Sequence, residues 1–418
     1  VYSEEGDLVY RKIVQAPRPG QTIVTSLNVE MQRKAQDLLR AAKRNGAFVA
    51  IDSESGDVLA AASHPSFDPN EFTGGISGKR FSEFKNDPDS PLFDRAISGM
   101  YPPGSTFKPV VALGGLSSHA IRYYTIFSGP PSLNIDGKEF RNWNREHEGN
   151  FGVRYALTRS CNTWFYQAAI RTGGEPILEA ARRMGFGTAP PIPLESVAPG
   201  NLPFAARSNR GLANLSIGQG EVLASPLQVA ASMTGFANRG HYAVPRLVIQ
   251  QQDPLNDKPL TYHEVRGRSL GYRQSDLEIV NHGMWGVVHD SMGTATRARH
   301  SRLTVLGKTG TSQWRNEGKE LRLAWFTGFI EARDPKIAFA VLSEGRRGET
   351  VSGGRVAAPI AAGFIDQVYE KPELYAVVFP ENPVRMNPTI EAPQPEMIIS
   401  RNPFQRLFGR KFPRERNP

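Results

Sequence analysis

A chain of 418 residues that is 39% hydrophobic can bury a large core and has the length for one large or two linked domains. Its 50 lysines and arginines against 41 aspartates and glutamates give a formal charge of +9, which suits an anionic surface or polymer; no nucleic-acid recognition module accompanies that charge. The single cysteine excludes an internal disulfide, and no apolar run approaches the roughly eighteen residues of a membrane-crossing helix.

In chain order, Asn28 is placed to cap a helix running through Met31, Ala35, Leu38 and Leu39 to Gly46. Residues 47–52 and 58–62 flank Ser53-Glu54-Ser55-Gly56, a hairpin pattern. The chain then reads Tyr101-Pro102-Pro103-Gly104-Ser105-Thr106-Phe107-Lys108 and continues mostly apolar. Two prolines are expected to hold the preceding segment out of helical geometry, so that Ser105 opens a helix. Its N–H then has no intrahelical partner and is free for a developing oxyanion. Lys108 falls one turn later on the same face. A serine hydroxyl needs a neighbouring base to take its proton, and a lysine in an apolar, cation-crowded pocket loses its own proton readily. Ser105 is therefore a candidate nucleophile and Lys108 its candidate base.

Ser160-Cys161-Asn162 precedes an aromatic-rich stretch with the look of a buried helix. Ser160 can pass protons between lysine and leaving group, and the Asn162 amide can both hold Lys108 and accept a peptide N–H. Cys161 reads as a small buried hydrophobe. Lys308-Thr309-Gly310-Thr311 follows the β-branched run 303–306, read as a strand. Gly310 allows close approach of a ligand backbone, Lys308 offers charge to an anionic group, and Thr309 and Thr311 offer hydroxyl donors. Taken singly, each motif also fits a plainer structure: an N-cap serine with a solvated lysine, a capping Ser/Asn pair, a turn ending an edge strand. Order and spacing favour one acyl-transfer site.

Strands are expected at 323–330 and 337–342 and a closing helix from Val356 to Tyr369, with mainly helical patterns between the early and late strands. Such an order fits an α/β half built from both ends of the chain with a helical half inserted. Residues 371–418 are proline-rich and basic and read as a flexible tail. No H-E-x-x-H, paired C-x-x-C or P-loop pattern is present. Asp136, His147 and Cys161 could meet near the active site and bind a metal, but their irregular spacing favours structural roles, as do the loop and helix-surface contexts of His64 and His282.

The S-x-x-K, S-x-N and K-T-G set resembles that of the class B penicillin-binding proteins. The likeness extends over residues 20–370, through Ser66-Phe67-Asp68-Pro69-Asn70, Ile217-Gly218-Gln219-Gly220-Glu221, Ser225-Pro226-Leu227-Gln228, Gly293-Thr294-Ala295, Ala324-Trp325-Phe326-Thr327-Gly328-Phe329 and Asp334-Pro335-Lys336-Ile337-Ala338. Tyr101 to Pro109 and Ser160 to Gln167 look most like the elongation-type members, often called penicillin-binding protein 2. Many of those carry Asp where this chain has Asn162.

The resemblance implies a penicilloyl-serine transferase (β-lactamase/transpeptidase-like) α/β fold, with a mostly antiparallel five-stranded sheet flanked by helices and an inserted all-helical half. Residues 1–20 would be linker. The transpeptidase domain would span 21–370, its α/β half being 21–63 plus 264–370 and its helical half 64–263. It also implies peptidoglycan D,D-transpeptidation through a Ser105 acyl-enzyme, with D-Ala-D-Ala stem peptides as donors and an amine acceptor, β-lactams as inhibitors and no cofactor or metal. The oxyanion would lie between the N–H groups of Ser105 and Thr311, and Lys308, Thr309, Gly310 and Thr311 would bind the donor terminus. The setting would be the periplasmic face of the inner membrane, through an amino-terminal anchor not found in this sequence. Partners would be a SEDS-family glycan polymerase and other elongation proteins, and no nucleic acid. The rival readings are a serine β-lactamase, against which the absence of Glu-x-x-Leu-Asn counts, and a β-lactam sensor or noncatalytic scaffold.

Overall fold

The computed structural model describes residues 19–316, 319–331 and 336–375. Helix α1 (Val29–Ala42) is capped by Asn28, whose Oδ1 accepts from the Met31 N–H at 3.0 Å. It ends earlier than Gly46 because Lys43 turns left-handed, at φ 52°. Strands β1 (Gly46–Asp52) and β2 (Val58–His64) form the expected hairpin, and His64 closes a strand instead of lying in a loop. In the inserted segment come α2 (Lys108–Ser117), α3 (Val153–Arg159), α4 (Asn162–Thr172) and α5 (Pro226–Ala237). After α6 (Gln274–His289), the chain returns through β3 (Val305–Asn316), β4 (Lys319–Ile330), β5 (Ile337–Glu344) and α7 (Ala357–Glu370).

The five strands form one antiparallel sheet in the order β3-β4-β5-β1-β2, so that β3 is an edge. Both faces of its centre are covered, which is why β5 is buried at every position. Alternation along β5 separates two cores. Ile337, Phe339 and Val341 pack with Phe48, Met31 and Phe364 beneath α1 and α7. Ala338, Ala340 and Leu342 face the inserted segment and share its core with Met233, Phe236 and Trp164. The two alanines leave room for α5, which is buried from Pro226 to Phe236 and opens on a Ser225–Gln228 capping box with Pro226 in its first turn.

Two expectations need correction. The inserted segment is not all-helical: it also carries short strands at Phe127–Ser128, Ser132–Ile135, Lys138–Arg141, Asn150–Phe151, His241–Ala243 and Val248–Gln252. Phe127–Ser128 pairs with Asn150–Phe151 and Ser132–Ile135 with Lys138–Arg141, whereas His241–Ala243 pairs with Gly267–Ser269 and Val248–Gln252 with Thr22–Thr25, so each satisfies backbone groups in a ladder. Residues 371–375 do not behave as the start of a loose tail, since Tyr375 is buried and its carbonyl accepts from Asn28 Nδ2 at 3.3 Å. The remainder of that expected tail, 376–418, and residues 1–18 of the expected linker lie outside the described residues. Helix α6 contributes Leu277, Val280 and Met284 to the core of the inserted segment, and Val287 and Val288 to the core beneath the sheet.

Candidate active site

Ser105 lies on a single 3-10 turn, Gly104–Phe107, that runs directly into α2 at Lys108. The expected break by the prolines is only partly right, because Pro103 is itself in helical geometry (φ −68°, ψ −17°). Proline fixes φ near the helical value; the break comes from Gly104, at φ +58°. A Cβ there would also come within 3.1 Å of Ser312 Cβ and 3.2 Å of the Thr311 carbonyl oxygen. The turn is bolted down from several sides. The Pro102 carbonyl accepts from Ser312 Oγ (2.7 Å) and Trp325 Nε1 (3.1 Å), Gly104 N–H donates to Gly218 O (3.0 Å), and Tyr101 pairs with Ala224. Ser105 is half-buried between buried neighbours, and no described residue hydrogen-bonds its hydroxyl.

Lys108 is completely buried. Its Nζ donates to the Ser160 carbonyl (2.7 Å), to Ser160 Oγ (3.2 Å) and to Asn162 Oδ1 (2.7 Å), and stands 5.1 Å above the Phe165 ring. Burial lowers its pKa to about 7, while Cys161 and Glu148 pull in the opposite direction. The three acceptors match the three protons of an ammonium, and an amine near neutrality alternates between charged and neutral forms.

The Ser160 backbone makes this possible. Ser160 ends α3 in the left-handed region (φ 56°), its N–H returning to the Leu157 carbonyl, and α4 starts two residues later at Asn162. A non-glycine residue there costs about 1–2 kcal/mol. The turn brings the Ser160 carbonyl and hydroxyl and the Asn162 amide onto one cation. Ser160 therefore belongs to a helix–helix corner, not to the plain N-cap that its sequence context also allowed. Cys161 is fully buried beside Thr163, and burial pushes its thiol pKa up.

Lys308, Thr309, Gly310 and Thr311 all lie within edge strand β3, which begins only at Val305 and continues past them. Lys308 is fully buried, and its Nζ donates to the Thr309 carbonyl at 3.0 Å. Its pKa is held well below the usual lysine value by burial and by the charge of Lys108. Alternation along β3 sends Thr309 to the opposite face, where its hydroxyl is engaged with Thr294 at 2.6 Å. It is not the free donor expected from sequence. Gly310 also differs from expectation: a Cβ would stand 3.0 Å from the Pro103 carbonyl oxygen and from Thr106 Cγ2, so the space is taken by the Ser105 turn itself. Thr311 is exposed, with its outer backbone edge unpaired by any strand of the described residues.

Sequence reasoning missed a polar frame behind the Ser160 corner. Glu148 pairs with Arg159 (2.7 Å) and accepts from Asn142 Nδ2 (2.6 Å); Asn142 Oδ1 in turn accepts from the Asn162 N–H (2.9 Å). Trp143 Nε1 donates to the Arg159 carbonyl at 2.9 Å. None of these residues belongs to a motif, and their role depends on long connections folding back. Asp136, His147 and Cys161 have separate partners: Asp136 accepts from Asn209, His147 bonds the Ser128 hydroxyl and Cys161 meets Thr163. Among the described residues no group of three or more His, Cys, Asp or Glu is placed to hold a metal ion. None of their helices is long and apolar enough to cross a membrane.

A family model described as the penicillin binding protein transpeptidase domain matches residues 46–366. The peptidoglycan D,D-transpeptidase MrdA of Acinetobacter baumannii is 33% identical over 370 residues, 82% of this chain and 54% of that protein. The chain thus spans about half the length of that relative. Among solved structures, Pseudomonas aeruginosa PBP2 in complex with WCK 5153 is 34% identical with a TM-score of 0.71, covering 84% of this chain and 79% of its own. The ceftriaxone acyl-enzyme of penicillin-binding protein A from M. tuberculosis is 28% identical with a TM-score of 0.75, covering 84% and 80%. PBP2 of Helicobacter pylori, solved in complex with MreC, is 27% identical with a TM-score of 0.72, covering 83% and 64%.

Proposed function

Because the chain belongs to the penicillin-binding protein transpeptidase family, we propose that it catalyses peptidoglycan D,D-transpeptidation through a Ser105 acyl-enzyme, in the manner of the elongation-type members. The observation that carries this reading is the buried Lys108 held by Ser160 and Asn162, one turn along the chain from a serine hydroxyl that no described residue hydrogen-bonds.

Neutral Lys108 takes the proton as Ser105 Oγ attacks the carbonyl of the penultimate D-alanine of a stem peptide. A pKa of about 7 keeps a large share of the lysine ready for this at neutral pH. The oxyanion is received by the N–H groups of Ser105 and Thr311, a pairing supported by the close approach of Gly104 to the Thr311 carbonyl. Collapse expels D-alanine, whose amine takes the proton from Lys108 by way of Ser160 Oγ, 3.2 Å from Nζ. The amine of a second stem peptide then attacks the ester, returning Ser105 and leaving the two strands joined. Lys308 and the Thr311 hydroxyl bind the donor carboxylate. That carboxylate supplies the negative partner that the buried Lys308 lacks, and so favours its charged form on binding. Thr309 contributes by bonding Thr294 and steadying the strand, and Gly310 by admitting the Ser105 turn.

We place the reaction on the periplasmic face of the inner membrane, with a SEDS-family glycan polymerase and other elongation proteins as partners. The complex of the H. pylori homologue with MreC supports a protein partner for the domain, without bearing on the polymerase. The deciding experiment is intact-mass analysis after penicillin G treatment. One penicilloyl adduct, mapped to Ser105 and abolished by Ser105→Ala, is the expected result. Labelling of Cys161 or of another serine overturns the assignment.

A further inference from the structure

Glu148 is a buried carboxylate that the acyl-transfer steps leave unused. Its side chain is 3% exposed, and both oxygens are engaged: one accepts from Arg159 Nε at 2.7 Å, the other from Asn142 Nδ2 at 2.6 Å. Arg159 is also fixed at its far end, where Nη1 donates to the Met292 carbonyl at 2.8 Å. A carboxylate accepts at both oxygens, so it dictates which way the Asn142 amide faces. With its NH2 group spent on Glu148, Asn142 must turn its Oδ1 towards the Asn162 N–H, 2.9 Å away. Asn162 is the residue whose side chain accepts from Lys108 at 2.7 Å. A continuous chain therefore runs from the ion pair to the lysine: Arg159, Glu148, Asn142, Asn162, Lys108.

We propose that Glu148, acting through Asn142, is a positioning residue that fixes Asn162 and thereby the Lys108 amine for proton transfer. The inference rests on the function proposed above for Lys108. Two titratable groups act on that amine, Glu148 and the Cys161 thiol, and the amine in turn acts on Lys308 in strand β3. Burial keeps the thiol protonated near neutrality and disfavours the charged form of Lys308, which leaves Glu148 as the negative charge within reach. Glutamine in place of Glu148 removes the charge and breaks the pattern of donors and acceptors. Its NH2 stands where one of the two engaged carboxylate oxygens stood, so that Arg159 or Asn142 meets a donor, and Asn142 is invited to flip and to present a donor to the Asn162 N–H.

The test follows two quantities across pH in the parent chain, Asn142→Ala and Glu148→Gln. One is the rate of penicillin G acylation. The other is the titration of Lys108 by carbon-13 NMR of lysine-labelled protein, its resonance identified with Lys108→Arg. Thermal melting establishes first that each variant folds. Asn142→Ala should acylate on the order of tenfold more slowly at every pH, as a displaced catalytic group does, with the Lys108 midpoint unmoved. Glu148→Gln should acylate more slowly and also move the Lys108 midpoint to lower pH. Parental rates in either folded variant, or an unmoved midpoint in Glu148→Gln, overturn the proposal. Should Glu148→Gln fail to fold, the rate of Asn142→Ala decides. If penicillin does not acylate the parent chain, the acyl-transfer reading is what fails, and the Glu148→Gln titration, which needs no substrate, still decides this one.

Discussion

The Ser312 hydroxyl donates a 2.7 Å hydrogen bond to the Pro102 carbonyl, joining edge strand β3 to the turn that carries Ser105. The bond is buried and spans 210 residues of sequence. Ser312 follows Thr311 directly, and Pro102 stands three residues before Ser105. This hydrogen bond therefore helps to set the spacing between the two backbone N–H groups proposed for the oxyanion.

Ser312→Ala should consequently cost about 1 kcal/mol of stability, the net worth of a typical hydrogen bond, since Trp325 Nε1 still reaches the same carbonyl. Acylation should fall by more than that stability loss suggests, because the turn gains freedom relative to Thr311. Thermal melting and the acylation rate of one preparation give both numbers; a stability loss with an unchanged rate would detach the bond from catalysis.

The pH dependence of acylation should carry the mark of Lys108. The lysine must be neutral to accept the Ser105 proton, and burial has brought its pKa to about 7. The rate should then be low under acidic conditions, where the amine is charged, rise through about pH 7 and level off above it. Lys108→Ala should lower the plateau by about two to four orders of magnitude, the span expected for removing a positioned base. A loss below threefold would point to another base.

How much of this was legible in the sequence depends on whether the cause was local. The Asn28 cap, the 53–56 hairpin turn and the β-branched lead into β3 each act over a few residues; the first two are found where expected, and the strand read at 303–306 begins at Val305. The three motifs could be read because short spacing places Lys108 one turn after Ser105 and Asn162 two residues after Ser160. What joins them is long-range. Trp325 meets Pro102 from 223 positions away, and Thr294 removes Thr309 from the cleft by a hydroxyl contact that no spacing announces. Gly310 was misread for the same reason: sequence shows that something approaches a strand glycine closely, but only the packing of Pro103 and Thr106 shows what it is. Glu148 and Asn142 lie in polar connections without periodicity, so their convergence on Asn162 had no signal.

Anchoring of the substrate carboxylate should be separable from proton transfer. Lys308 is buried, with the Thr309 carbonyl as its hydrogen-bond partner, and its charged form is disfavoured until an anion arrives. Lys308→Gln should weaken acylation by carboxylate-bearing β-lactams far more than by an esterified analogue, because an ester offers no charge to lose. Second-order acylation rates for the matched pair test this. Equal losses on both compounds would make Lys308 a member of the proton network.

The penicilloyl adduct should persist for a time on the order of hours, since general-base removal alone slows such steps by about two to four orders of magnitude. Hydrolysis needs a base that activates water at the ester. In the hydrogen-bond network that reaches Lys108, the carboxylate is Glu148, and both its oxygens are already committed to Arg159 and Asn142 behind the Ser160 corner. Lys108, having passed its proton by way of Ser160 to the leaving nitrogen, is a neutral base again, but in a penicilloyl ester that nitrogen stays tethered and obstructs any incoming nucleophile. In the acyl-enzyme of a stem peptide, D-alanine departs and opens the same approach to an acceptor amine. Following both adducts by intact mass separates the outcomes: the peptide adduct should be lost on adding an amine acceptor while the penicilloyl mass remains. Rapid loss of penicilloyl mass over repeated turnovers would instead identify a β-lactamase.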